Sequence, residues 1–172
     1  MIATFLVQYP WLTTVALLAT VLVAPLAAYA LATRPGLTRL LLVSSVIAVL
    51  VITLYPESSA RPAPGCAVSW SLPTLGAVEL IANIVLFVPP VLLAAVLTGR
   101  PFVAALVGSA LSVLIEASQA AAPVLGRACD TGDWLQNTIG AVLGALLAAI
   151  GLAVRRRISR RAASARDTTT IR

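Results

Sequence analysis

The stretch that decides the fold is Leu75-Gly-Ala-Val-Glu79-Leu-Ile-Ala-Asn83-Ile-Val-Leu-Phe-Val-Pro-Pro-Val-Leu-Leu-Ala-Ala-Val-Leu97. Its length exceeds the roughly 20 apolar residues with which an α-helix crosses the hydrocarbon core of a bilayer. Glu79 and Asn83 stand four residues apart, so a helix would place both side chains on one face. An acid within a membrane-spanning length is costly and is usually kept for a function, so this stretch predicts both a span and a polar site.

Two further apolar stretches carry polar side chains near the same end of the predicted bundle. One runs from Phe102 to Ala122 and holds Glu116 and Gln119, and the other opens at Asp133 and holds Asn137. At about 1.5 Å of rise per residue, these side chains lie roughly 4 to 10 Å below the same membrane boundary as the pair in the first stretch. The three stretches can therefore bring their polar groups together at one depth.

The composition admits one class of protein. Hydrophobic residues make up 60% of the 172 residues, charged residues make up 10%, and the mean hydropathy is +1.00. A soluble domain needs more polar surface than this, and the alternating pattern of a membrane barrel is missing from the sequence. We therefore predict an all-α fold, a polytopic transmembrane helical bundle in the cell membrane, with the surrounding lipid as its partner.

Five spans are predicted from the apolar windows and from the prolines, glycines and charges that separate them. They are Trp11 to Ala32, Leu37 to Tyr55, Leu75 or Gly76 to Thr98, Phe102 to Pro123, and Asp133 to Arg155. Residues 1–154 then form the bundle, and residues 155–172 form a basic cytoplasmic tail that we expect to be disordered.

The distribution of the twelve arginines predicts the orientation, because basic residues concentrate on the cytoplasmic side of a membrane protein. With the N-terminus outside and the C-terminus inside, ten arginines are cytoplasmic and only Arg61 and Arg127 are external. Six of the ten lie between Arg155 and Arg166. A basic stretch beside a span favours an anchor at the membrane surface, so no nucleic-acid partner is expected.

The two cysteines fall one in each of the two longest external loops. Cys66 lies in the loop from Pro56 to Thr74, and Cys129 lies in the loop from Pro123 to Gly132. Disulfides form in an oxidising exterior, so a bridge between these loops is expected, with two free thiols as the alternative. A bridge would hold the two loops together above the polar side chains.

The polar side chains of the last three spans have two interpretations. In the first, they line a pocket that opens to the outer surface, where carboxylates accept hydrogen bonds and amides both donate and accept. In the second, the same groups join the helices by interhelical hydrogen bonds and have no ligand. Two acids are more than such packing needs, which favours the pocket.

Residues around the start of the last span have explanations of their own. Asp133 is suited to cap the fifth helix, with Gln136 reaching back to the helix start as its partner. Arg127 is expected either to pair with Asp130 or to bind a phosphate or carboxylate group.

Gly140 and Gly144 form a GxxxG face in the fifth span, where small residues let two helices approach closely. We expect a contact with another helix of the same chain, and less readily a homodimer. The chain has no His, which excludes an imidazole base and a His-containing zinc site. The sequence has no phosphate-binding glycine loop, and neither a metal nor a cofactor is predicted.

Three blocks of this sequence resemble the VanZ-like family of bacterial integral membrane proteins. They are Glu79-Leu-Ile-Ala-Asn83-Ile-Val-Leu-Phe87-Val-Pro89, then Ile115-Glu116-Ala-Ser-Gln119, and Arg127-Ala-Cys-Asp130-Thr-Gly-Asp133-Trp-Leu-Gln-Asn137-Thr-Ile-Gly140-Ala-Val-Leu-Gly144. The family usually has Pro-Leu-Gly where this chain has Pro89-Pro90-Val91. The resemblance implies a VanZ-like core at about residues 75–154 in the bacterial plasma membrane. It also links the chain to resistance against the lipoglycopeptide teicoplanin.

The leading hypothesis is a non-enzymatic envelope protein whose outward-facing polar pocket binds a lipid headgroup, a cell-wall precursor or a lipoglycopeptide. One alternative is an enzyme acting on a lipid-linked phosphate or sugar, with Glu116 and Asp133 as catalytic carboxylates and Arg127 holding the anion. Another is a structural partner of a second envelope membrane protein, docked through the glycine face of the fifth span. The residues predicted for ligand binding are Glu79, Asn83, Glu116, Gln119, Arg127, Asp130, Asp133 and Asn137.

Overall fold

A computed structural model describes residues 8–56, 66–70, 74, 77–122, 124 and 126–170, the last six of them by their backbone alone. Within these residues the fold is built from five long helices. They are α1 (Trp11–Leu31), α2 (Pro35–Leu54), α3 (Val78–Thr98), α4 (Pro101–Ala121) and α5 (Thr131–Thr170). Each is long and apolar enough to cross a membrane, which confirms the prediction of a helical fold with five helices of membrane-spanning length and composition.

Proline and glycine mark the helix boundaries at the two short connections, between α1 and α2 and between α3 and α4. Pro35 and Pro101 occupy the first turns of α2 and α4, where the missing N–H would have no helical partner in any case. Gly99 ends α3 with a φ of 68°, and its N–H donates to the carbonyl of Ala95 at 2.9 Å. Glycine adopts this left-handed backbone without the strain that a Cβ would cause, so α3 turns directly into α4.

The predicted boundaries of the third and fourth spans differ slightly from those of the helices. Leu75 and Gly76, the expected start of the third span, lie outside the described residues, and α3 itself begins at Val78. Pro123, the expected end of the fourth span, also lies outside them, and α4 ends at Ala121.

Helix α5 extends beyond its predicted span at both ends. It begins at Thr131, two residues before Asp133, and it continues past Arg155 to Thr170. The disorder expected over residues 155–172 is therefore replaced by helix as far as Thr170. Arginine and alanine, which dominate this segment, favour the helix, and extending an existing helix avoids the cost of nucleating a new one.

Helices α3 and α5 form the centre of the bundle, and the other three pack around them. Two glycines allow this central contact. A Cβ on Gly144 would lie 2.6 Å from the carbonyl oxygen of Val88, and a Cβ on Gly140 would overlap the carbonyl of Ile84. The GxxxG face thus lies against another helix of the same chain, backbone to backbone, as its small residues allow.

The buried core follows this central pair of helices. Phe87 and Ala95 of α3 and Ala141 and Ala148 of α5 are fully covered. Helices α1 and α2 bury few side chains and leave large apolar residues exposed, as expected of helices whose outer faces contact lipid tails.

A short parallel bridge departs from the all-α prediction. β1 (Cys66–Ala67) pairs with β2 (Cys129–Asp130), with Cys66 opposite Cys129 and Ala67 opposite Asp130. The pairing satisfies backbone groups of two loops that would otherwise lack partners where they meet. The bridge joins the two loops that hold the cysteines.

Candidate functional site

The predicted site residues gather at one end of the bundle, which we call the polar end. Because successive helices alternate in direction, the polar end contains the last turns of α2 and α4 and the first turns of α3 and α5. The bridge between β1 and β2 lies there as well. All eight residues predicted for ligand binding belong to these turns or to the loop that contains β2.

One face of α4 carries a line of buried polar side chains. Ser112, Glu116 and Gln119 are spaced i, i+4 and i+7, which places them on the same side of the helix. Ser112 is fully buried, and Glu116 and Gln119 are only 7% and 6% exposed. Across from them, Asn137 of α5 is 3% exposed and donates from Nδ2 to Ser112 Oγ at 2.9 Å. We call these four residues the buried polar column.

Hydrogen bonds join the column to its neighbours. Glu116 Oε2 accepts from the backbone N–H of Asp130 at 2.9 Å. Gln119 Nε2 donates to the backbone carbonyl of Thr53, near the end of α2, at 2.9 Å. Side chains on one face of α4 therefore form hydrogen bonds with α2 and with the residue that precedes α5.

A second contact joins α3 to α5. Asn83 Nδ2 donates to Asp133 Oδ1 at 2.7 Å, so two of the predicted site residues meet directly. Glu79 lies one turn earlier on α3 and is exposed. The structure thus brings Asn83 and Asp133 together, while Glu79 stands at the rim of the polar end.

The predicted cap of the last helix is wrong, because Asp130 stands where Asp133 was expected. The helix begins at Thr131, which makes Asp130 the N-cap residue. Its Oδ1 accepts from the N–H of Gly132 at 2.8 Å, the hydrogen bond that an N-cap side chain makes. Asp133 falls in the first turn instead, where its charge still suits the helix dipole and its side chain reaches Asn83.

A segment from Cys66 to Trp70, which we call the strap, crosses the start of α5. A disulfide joins Cys66 to Cys129, with the two Cα atoms 4.6 Å apart. The Trp70 ring stands edge-on to that of Trp134, with ring centroids 6.3 Å apart. The strap is therefore attached at both of its ends to the β2 and α5 region.

The middle of the strap is attached by Ser69. Its backbone N–H donates to Thr131 Oγ1 at 3.0 Å, and its carbonyl accepts from the same hydroxyl at 3.0 Å. Its own hydroxyl donates to Asp130 Oδ1 at 2.6 Å. Gly132 lies so close beneath that a Cβ there would overlap Ser69 Oγ. The strap thus contacts the same Asp130 whose N–H is bound by Glu116.

Arg127 contacts the end of α2, and its binding of a phosphate or carboxylate group stays a prediction. Its Nε donates to the backbone carbonyl of Tyr55 at 3.0 Å, so the side chain holds the end of α2. Asp130, the expected ion-pair partner, is engaged by Ser69 and by Gly132.

Deeper in the bundle, the structure shows polar contacts that the sequence analysis did not identify. Ser109 Oγ and Thr138 Oγ1 lie 2.9 Å apart, and Trp134 Nε1 donates to Ser109 Oγ at 3.2 Å. Ser109 lies one helical turn from Ser112 and two from Glu116, and Thr138 follows Asn137 directly. Their spacing from the predicted site residues is the signal that could have identified them.

Two acceptors in the column lack a partner. Gln119 Oε1 and Asn137 Oδ1 are buried and accept no hydrogen bond from any described residue. Leaving a buried acceptor unpaired costs roughly 1–3 kcal/mol, so native proteins rarely do it without a bound water, ion or ligand. The column can therefore accept hydrogen bonds from a group that enters it.

Among the described residues this site offers no metal centre, and a sizeable groove lies elsewhere in the bundle. The acids and cysteines there form no group of three that could hold a metal ion. A groove of about 400 Å³ lies instead between α1 and α3. Its lining is almost wholly apolar and extends from Ala19 to Leu31 on α1 and from Val88 to Leu93 on α3.

Comparison with known proteins identifies the family. No curated protein and no solved structure shows significant similarity to the chain. The family model described as VanZ/LLP1 matches residues 11–152. The match includes all of the predicted site residues and extends through α1 and α2, beyond the blocks between Glu79 and Gly144 on which the resemblance rested. It covers most of the sequence and confirms that resemblance, so the chain belongs to the VanZ/LLP1 family.

Proposed function

We propose that this protein is a membrane protein of the bacterial cell envelope whose polar end binds a lipid headgroup, a cell-wall precursor or a lipoglycopeptide. Such binding would lower the effect of antibiotics that act at the cell surface. The observation that carries the proposal is Glu116, a carboxylate buried inside a membrane-spanning helix beside two unpaired amide oxygens. Acids at such positions are costly and usually belong to functional sites.

The unpaired oxygens favour binding over simple helix packing. If the column served only to join helices, Gln119 and Asn137 would have both ends of their amides engaged. Each instead uses its nitrogen within the protein, and its buried oxygen has no donor among the described residues. A network that is only half satisfied destabilises the bundle, and a bound donor would remove that penalty.

The arginine distribution supports an orientation in which the polar end faces outward. Arg34 and Arg100 precede α2 and α4 at the opposite end of the bundle, and Arg155 to Arg161 extend from the same side. Basic residues concentrate on the cytoplasmic side, which favours an N-terminus outside and a C-terminus inside. The disulfide then lies on the oxidising side of the membrane.

The structure gives less support to the other two functions. The GxxxG face, which a second envelope protein would need for docking, is occupied by α3. For an enzyme acting on lipid-linked phosphates, Arg127 would have to release the Tyr55 carbonyl to hold an anion. Each alternative nevertheless predicts a distinct experimental result.

Antibiotic susceptibility of cells that express defined variants tests the proposal. A teicoplanin-susceptible host would express the wild type, Glu116→Gln, or Asp167→Asn, an acid-to-amide change near the far end of α5. We expect Glu116→Gln to lose the protection that the wild type and Asp167→Asn give, at equal amounts of folded protein in the membrane. The reason is that Gln retains the shape and the hydrogen bond to Asp130 but removes the negative charge.

Three other outcomes would contradict the proposal. Equal protection by all three proteins would show that protection does not require the Glu116 carboxylate. Loss of folded protein with Glu116→Gln alone would show that the column serves only to hold the helices together. Accumulation of an uncleaved lipid-linked compound in the Glu116→Gln strain would identify an enzyme instead.

A further inference from the structure

Three amide side chains of the predicted site, those of Asn83, Gln119 and Asn137, donate hydrogen bonds to other groups of the protein through their nitrogens. Asn83 Nδ2 donates to Asp133. Gln119 Nε2 donates to the Thr53 carbonyl, and Asn137 Nδ2 donates to Ser112 Oγ. Each of these amide nitrogens is thus engaged inside the protein, and the buried oxygens of Gln119 and Asn137 accept no hydrogen bond from the part of the chain that the structure describes. The amides therefore present hydrogen-bond acceptors to a ligand.

The carboxylates add further acceptors and negative charge. Glu116 accepts at Oε2 and Asp133 accepts at Oδ1, and each carboxylate has a second oxygen with lone pairs to share. Glu79 adds an exposed acid at the rim. Arg127, the basic residue nearest to these acids in the sequence, donates from Nε to the backbone carbonyl of Tyr55. Among the described residues of the polar end, acidic side chains thus outnumber basic ones.

A ligand that fits this arrangement has to donate hydrogen bonds and carry positive charge. A phosphate or carboxylate would bring more acceptors and more negative charge to a site that already has an excess of both. A trimethylammonium group supplies the charge but has no N–H to donate. A primary ammonium supplies the charge and three donors, and hydrogen bonds between ionised partners are the strong ones.

We propose that the group recognised at the polar end is a primary ammonium, held by Glu116 together with the amide oxygens of Gln119 and Asn137. This inference rests on the function proposed above and names the chemistry of its ligand. The ammonium can belong to the ethanolamine headgroup of a lipid or to a free amino group on a soluble molecule. Glu116 lies five residues before the end of α4, about 8 Å along the helix axis. The ethanolamine group of a lipid at this end of the bundle can therefore reach it.

Lipid selectivity of the full-length protein tests the proposal directly. Native mass spectrometry would compare retention of three lipids with identical acyl chains: phosphatidylethanolamine, phosphatidylcholine and phosphatidylglycerol. We expect phosphatidylethanolamine to be retained at least roughly tenfold more strongly than the other two, the factor that one charged hydrogen bond contributes. The wild-type comparison requires no substitution, so protein folding cannot obscure it.

Variants then assign the selectivity to the column. Glu116→Gln is expected to lose the preference for phosphatidylethanolamine, while Asp167→Asn is expected to retain it. A second measurement separates the two sources of the ammonium: thermal stability in detergent with ethanolamine hydrochloride or choline chloride at equal ionic strength. Stabilisation by ethanolamine alone, without lipid selectivity, would identify a soluble amine as the source.

The results that overturn the inference differ from those that overturn the proposed function. Equal retention of all three lipids, with no difference between ethanolamine and choline, rules out ammonium recognition, and the susceptibility experiment decides separately whether the polar end protects cells. A preference for phosphatidylethanolamine that persists in Glu116→Gln also overturns the inference, because it places recognition elsewhere.

Discussion

Replacing Gly144 by alanine tests the contact at the centre of the bundle. The added Cβ would lie 2.6 Å from the carbonyl oxygen of Val88 and 3.2 Å from its Cα. Both neighbours are backbone atoms, so no side chain can rotate away to make room. Non-bonded heavy atoms prefer separations of about 3.5–4.0 Å, so α3 and α5 have to separate by roughly 1 Å. We therefore expect Gly144→Ala to destabilise the bundle.

The magnitude follows from two opposing effects. Forcing extra volume into a packed contact costs about 1–3 kcal/mol, and alanine in place of glycine returns up to about 1 kcal/mol of helix propensity. The net loss is up to about 2 kcal/mol, and at roughly 2–4 °C per kcal/mol the melting temperature falls by several degrees. Thermal unfolding of the purified protein, followed by size-exclusion chromatography, measures this change.

Gly36→Ala provides the matched control, because a Cβ at Gly36 in α2 meets no atom within 4 Å. This variant is expected to melt at or slightly above the wild-type temperature. Equal melting temperatures for Gly144→Ala and Gly36→Ala would refute the contact described here. A dimer that dissociates in Gly144→Ala without loss of monomer stability would show instead that the glycine face joins two copies of the chain.

Three further predictions concern topology, the disulfide and the helix cap. Alkaline phosphatase fused after Arg157 is expected to be inactive, while a reporter placed near Ala63 is active; an active fusion at Arg157 would contradict an internal C-terminus. Alkylation in freshly lysed cells is expected to find no free thiol, and Cys66→Ser with Cys129→Ser is expected to lower stability. The 63-residue separation sets an upper limit of about 4 kcal/mol on that loss, because the intervening α3 and α4 restrict the unfolded chain already. Asp130→Ala is expected to cost about 0.5–2 kcal/mol through loss of the cap, whereas Asp130→Asn retains a capping oxygen and stays near wild-type stability; equal losses in the two would argue against the cap.

The helices were predictable because their signal is local. Apolar length, with Pro35, Gly99 and Pro101 at the boundaries, is enough to locate them to within a few residues. Helix α5 continues past Arg155, where hydropathy falls although helix propensity stays high. Hydropathy marks the width of the membrane, and it does not mark the end of a helix that continues into water.

The polar end was predictable only in part. The acids and amides were identifiable because polar residues are rare in apolar stretches. Their hydrogen-bond partners could not be identified from the sequence. Gln119 and Arg127 bind the backbone carbonyls of Thr53 and Tyr55, and because every residue has a carbonyl, no residue type indicates such a partner. Nor could the sequence show that Ser69 lies over Asp130, since this contact depends on how two distant loops meet.

Helix α5 is a single rod that begins within the site and ends far from it. Its 40 residues extend about 60 Å, roughly twice the thickness of the hydrocarbon core. In a helix of this length, a tilt of about 10° at the first turn displaces the far end by about 10 Å. Its first turns carry Asp133 and Asn137, and its last turns carry the row of arginines. A movement of these first turns would therefore be enlarged at the arginine-bearing end of the helix.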